Sequence, residues 1–147
     1  MKRKSTRGII FMDNKLVVMY REKEGRIYYT LPGGGLEEDE CLTNCVIREV
    51  QEEFGMTVEP KKLVYEYYDD KNITYYFLCK YISGQFGSGV GEEFQPDRNK
   101  GIYRPMLIDL DQIEKINLVP TELKTLLLND IKKFGLQLDN EIKKFNE

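Results

Sequence analysis

The chain has 147 residues, 22 of them basic and 25 acidic, with no histidine and a net charge of −3. Without histidine, Ser-His-Asp and Cys-His nucleophile systems and metal sites built on imidazole are excluded. The 41% hydrophobic and 32% charged content belongs to a folded globular chain rather than a disordered one, and the acidic balance offers no global attraction to nucleic acid or anionic membrane.

The chain opens with the basic stretch Met1 to Arg7, but the apolar run from Gly8 to Met12 is too short for a signal-peptide core. Thr6 to Met12 and Leu16 to Tyr20 are expected to form a hairpin around Asp13-Asn14-Lys15. Ile27 to Leu31 is the next expected strand, stopped by Pro32 and Gly33 to Gly35. From Glu40 to Phe54 the period becomes helical, with Leu42, Cys45, Val46 and Val50 on one stripe and Gly55 as the stop. Leu63 to Tyr68 and Ile73 to Ile82 predict a second hairpin, and Ser83 to Lys100 a glycine-rich loop. Ile102 to Leu110 predicts a strand. A last helix is expected from Pro120, its core stripe formed by Leu123, Leu126, Leu127, Ile131 and Phe134. The charged tail from Gln137 is expected to be helical or frayed.

Such a chain is expected to be one domain over 1–147, with 1–4 and 138–147 flexible. Hairpin-linked strands between helices predict an α/β layer fold. Three cysteines without a disulfide pattern, no signal segment and no run of 18 apolar residues predict a protein of the cytoplasm with no membrane span.

The chemistry is concentrated between Gly34 and Met56. Glu49, Glu52 and Glu53 stand three and four residues apart, which places their carboxylates on neighbouring positions of one helix. At roughly 5 Å and an effective dielectric near 20, each such pair repels by about 3 kcal/mol. An open helix screens this in water, whereas a cleft would raise a pKa or demand a cation. Oxygen donors without nitrogen or sulfur select Mg²⁺, with Mn²⁺ as a substitute. Charge runs of this kind also occur on ordinary solvated helices, where Arg48 and Glu52 would be a plain surface pair. The spacing alone does not separate the two.

The full pattern does. Gly34, five residues, Glu40, seven residues, Arg48-Glu49-Val50, one residue, Glu52-Glu53, one residue and Gly55-Met56 match position for position the signature box of the Nudix hydrolases. A chance match of these positions has odds on the order of one in 10⁸ per window. The chain therefore resembles that family, and the resemblance implies a Nudix-type α/β/α sandwich with a mixed β-sheet. It also implies hydrolysis of a phosphoanhydride bond in a nucleoside diphosphate linked to another moiety, such as a nucleoside triphosphate. Glu49, Glu52 and Glu53, with the carbonyl of Gly33, would hold Mg²⁺. Glu40 and Arg48 would tie loop to helix. The resemblance leaves the general base open between Glu52 and an acid of the downstream loop, where Glu92 and Glu93 are candidates.

Arg21 and Arg26 are candidates to grip a distal phosphate bidentately. Tyr28, Tyr29, Tyr75, Tyr76, Phe94 and Tyr103 include candidates for stacking on a base. The expected partner is a small nucleotide, not nucleic acid, and the expected state is a monomer or homodimer. Two alternatives stay open: a nucleotide-sensing module with little catalysis, and an RNA 5′-end pyrophosphohydrolase. An isomerase of the isopentenyl-diphosphate type is disfavoured by the missing histidines.

Overall fold

Ile9 and Ile10 are consecutive, and both are fully buried. Successive side chains of a strand point to opposite faces, so such a pair requires a core on each side. The computed structural model, which describes residues 2–88 and 101–147, has both cores. Its strands are β1 (Arg3–Met12), β2 (Lys15–Lys23), β3 (Arg26–Thr30), β4 (Gly33–Gly35), β5 (Met56–Tyr68), β6 (Asn72–Gly84), β7 (Ile102–Asp109) and β8 (Lys143–Asn146). Helix α1 spans Leu42–Phe54 and helix α2 spans Thr121–Phe134.

The strands run in the order β3-β2-β1-β6-β5-β8, with β4 also paired to β1 and β7 to β2. The β1–β6 and β5–β8 pairs are parallel and the others antiparallel, which makes the sheet mixed. β1 and β2 pair only beside their turn, at Phe11↔Leu16 and Met12↔Lys15. Beyond it the β3-β2-β7 ladder diverges from the larger one, and β4 pairs with β1 at the other end of that strand.

One core lies under α1, where Val46, Val50 and Phe54 meet Ile10, Val17, Met19 and Phe77. The other lies under α2, where Leu123 and Leu127 meet Ile9, Leu16, Val18, Tyr65 and Tyr76. The helices thus cover opposite faces of the sheet, as in an α/β/α sandwich.

Several boundaries differ from expectation. β5 begins at Met56 rather than Leu63, its register shifting around Pro60. Proline lacks a ladder donor and is accommodated where pairing is irregular. The tail forms β8 instead of a helix or a frayed end, and Phe145 packs 4.7 Å from Tyr67 between ring centroids. In α2 the buried stripe is Leu123, Leu127 and Asp130, while Phe134 is 38% exposed. Asp130 is tolerated there because the Tyr65 hydroxyl donates to it at 2.6 Å and Lys143 pairs with its other oxygen. Among the described residues, no helix is long and apolar enough to cross a membrane.

Candidate active site

Strand β4 consists of three glycines, and its neighbours show why. The φ of Gly33 is +151°, and a Cβ there would lie 2.0 Å from the carbonyl oxygen of Thr6. A Cβ on Gly34 would lie 2.5 Å from Glu49 Oε1. Only a backbone without side chains fits between β1 and the carboxylates of α1.

The spacing of the acids along α1 then sorts them. Glu53 is one of few buried charged residues, at 5% exposure, and its Oε1 accepts the Gly33 backbone N–H at 2.7 Å. Glu49, one turn earlier, lies against Gly34 with its side chain 13% exposed. Glu52 points to the rim, 47% exposed. The helix therefore turns two carboxylates into the glycine strand and holds the third at the edge.

Arg48 joins these groups. Its Nε and Nη2 donate to the two oxygens of Glu40 at 2.8 and 3.0 Å, a two-pronged charged pair. Nη1 reaches Glu49 Oε1 at 3.1 Å and Glu52 Oε2 at 3.3 Å, and Nη2 donates to the Gly35 carbonyl at 3.1 Å. Glu40 precedes α1, where it also accepts the Glu37 N–H. Hydrogen bonding to Arg48 holds the Glu40 carboxyl down at about 2, against burial that would raise it. The same pairing raises the pKa of Arg48. Cys45 fills the space beneath, its thiol near the Gly34 and Gly35 carbonyls and accepting from the Thr6 hydroxyl at 3.2 Å. Burial pushes that thiol's pKa up.

Among the described residues, no three acidic side chains form a ready-made cation cage. The guanidinium of Arg48 stands among the carboxylates instead. Besides the Cys45 thiol, whose pKa burial raises, the donors at the glycine strand are hard oxygens: Glu49, Glu53, the Gly33 carbonyl and, at the rim, Glu52. That set suits a small divalent ion such as Mg²⁺.

Arg21 and Arg26 are placed elsewhere, on the small β3-β2-β7 ladder. The Arg21 guanidinium lies over Tyr103 at 4.4 Å and Tyr28 at 5.2 Å, and donates to the Tyr103 hydroxyl. Its Nε is buried without a partner. Arg26 also lies over Tyr28, at 5.3 Å. No described bond links either arginine to the acids of α1. Glu92, Glu93 and Phe94 fall outside the described residues.

One residue at the site carries no sequence motif. Arg7 Nη1 donates to the Leu31 carbonyl at 2.9 Å and the Gly33 carbonyl at 3.2 Å. It also lines a cavity of about 290 Å³ with Thr30, Leu31, Tyr67, Tyr76 and Pro120. The only trace in the sequence is a charge at an inward position of β1, in phase with Ile9.

The NUDIX domain family model matches residues 1–126. Among solved structures, a NUDIX hydrolase from Nitrosomonas europaea superposes with a TM-score of 0.77 at 19% identity, covering 99% of this chain and 80% of that one. An ADP-ribose pyrophosphatase from Streptococcus suis gives 0.66 at 20% identity, with full coverage of both chains. A MutT structure from work on Aliivibrio salmonicida and Vibrio cholerae gives 0.68 at 17% identity, covering 91% of this chain and all of that one. A search of curated proteins found no match. With the family model spanning most of its length and every position of the signature box filled, the chain belongs to the NUDIX family of hydrolases.

Proposed function

We propose that the protein hydrolyses a phosphoanhydride bond in a small nucleotide, a nucleoside diphosphate linked to a further phosphate or another group, with Mg²⁺ as its cofactor. The observation that carries this reading is the buried Glu53 carboxylate locked onto the Gly33 N–H, with Glu49 packed on Gly34 beside it. Two carboxylates brought to one backbone cradle repel each other, and Arg48 offsets part of that charge through Glu49. A divalent ion relieves that repulsion. In this reading Glu49, Glu53 and the Gly33 carbonyl would hold the ion, and Glu52 acts as base. When bound, the ion would neutralise phosphoryl charge and acidify a coordinated water.

The protein's own groups do the rest. Arg48, braced by Glu40 and the Gly35 carbonyl, orients Glu49 and Glu52. Glu52, at the wet rim, takes a proton from the attacking water. The water oxygen bonds to phosphorus, the bridging P–O bond breaks, and its electron pair leaves with the departing phosphate oxygen. The substrate's nucleoside sits in the cavity that Arg7 lines, against Tyr67 and Tyr76. Arg21 and Arg26 remain candidates for a distal phosphate.

The test is a panel of nucleoside triphosphates, including oxidised ones, with nucleotide sugars, ADP-ribose and dinucleoside polyphosphates, incubated with Mg²⁺ in ¹⁸O-water. Turnover of one class, with ¹⁸O on a single phosphate product by ³¹P NMR, is the expected result. No turnover across the panel would sink the enzyme reading in favour of a sensing one. Glu53→Gln keeps an oxygen for the Gly33 N–H, so its fold should survive while kcat falls on the order of 10²–10³-fold. Near-normal turnover would refute its role.

A further inference from the structure

Arg7 occupies one row of the sheet between Gly33 of β4 and Tyr76 of β6. It bonds to the glycine strand and lines the cavity. Nη1 alone makes its two bonds, to the Leu31 and Gly33 carbonyls. An arginine carries five N–H donors, and no bond from Nε or Nη2 to a described residue accompanies these. Among the described residues no carboxylate pairs with it either. Asp69, the acid lining the same cavity, spends Oδ1 on the backbone N–H groups of Lys71 and Asn72. The charge of Arg7 is felt at its register partner Tyr76, where it opposes the upward shift that burial imposes on the hydroxyl. Arg7 is thus a half-buried cation with donors left over, fixed to the Gly33 carbonyl of the glycine strand.

We propose that Arg7 binds the phosphate attached to the nucleoside, setting the substrate in register with the Gly33 carbonyl. This inference rests on the chain being a nucleotide hydrolase and names the group that grips its substrate. Nη2 and Nε contact the phosphate oxygens while Nη1 keeps the strand in place. Lysine offers no such two-sided fork.

The experiment uses the metal-free protein in EDTA, titrated calorimetrically with AMP, GMP, CMP and UMP and with the four parent nucleosides. At least one monophosphate should bind about tenfold or more tightly than its nucleoside. Arg7→Met should remove most of that advantage without weakening the nucleoside, and Arg7→Lys should fall between. The proposal is overturned if Arg7→Met leaves the monophosphate affinity unchanged, weakens both ligands equally, or if no monophosphate binds the wild type. Should Arg7→Met fail to fold, Arg7→Lys carries the test: a severalfold loss for the monophosphate alone supports it, and unchanged affinity overturns it. Turnover is scored separately. An enzyme that hydrolyses nucleotides yet keeps its monophosphate affinity without Arg7 refutes this role and leaves the hydrolase reading intact.

Discussion

At the scale of single residues, the pair of Glu40 and Arg48 makes the site's assembly sensitive to acid. The folded protein holds the Glu40 carboxyl at about 2, against an ordinary 4.5. A carboxylate with a lowered folded pKa stabilises the fold fully above its unfolded value, and that contribution is lost as pH falls towards the folded one. The window here runs from about pH 4.5 down to about 2. Glu40→Gln should therefore cost roughly 1.5–3 kcal/mol near neutrality, as expected for a charged hydrogen bond. Urea unfolding of both proteins at pH 6, 4 and 3 should show the gap between them narrowing as the solution becomes more acidic. A gap independent of pH would mean that Arg48 does not hold Glu40 as described. The glutamine should also slow turnover, since Glu40 braces the arginine that reaches Glu49 and Glu52.

At the scale of elements, what the sequence disclosed follows from how local each signal is. Helix α1 was legible because its apolar stripe and its acids lie within one segment. It begins at Leu42 rather than Glu40 because Glu40 turns back to its own loop and to Arg48. The first half of β5 was hidden by Pro60 and its flanking lysines. β8 was hidden because its pairing partner lies far away in the chain and Phe145 is held by tertiary contacts alone. Gly33 to Gly35 read as a strand stop, since nothing local reveals that β1 and the carboxylates of α1 press on them from two sides. The participation of Arg7 was invisible for the same reason. Within α2, periodicity found the helix but set its face slightly off: Leu127 is fully buried, Leu126 only partly, and Asp130 takes a buried place that a polar residue does not announce. Leu127→Ala should cost about 2–5 kcal/mol, and Leu126→Ala distinctly less, when both are measured by urea unfolding. The reverse order would show that α2 meets the sheet with a different face.

At the scale of the molecule, β1 is the element on which both halves depend. Ile9 belongs to the core under α2 and Ile10 to the core under α1, and the same strand pairs with β4 at one end and with β2 at the other. A strand shared in this way couples the two layers, because the loss of β1 from the sheet exposes both cores. The carboxylates of α1 and the cavity on the α2 side, joined through Gly33 and Arg7, would then keep their relative placement for as long as β1 is paired. We expect residues 1–147 to unfold as one cooperative unit. Ile10→Val removes one methylene from the α1 side and should lower stability by about 0.5–1.5 kcal/mol. In native-state hydrogen exchange, the amide of Leu127, on the opposite face, should then exchange about 2- to 12-fold faster, matching that loss if it opens only by global unfolding. Ile9→Val should reciprocally accelerate exchange at Val50. If either substitution moves only amides on its own face, the layers open independently, and the coupling of cavity to carboxylates through β1 would have to be abandoned.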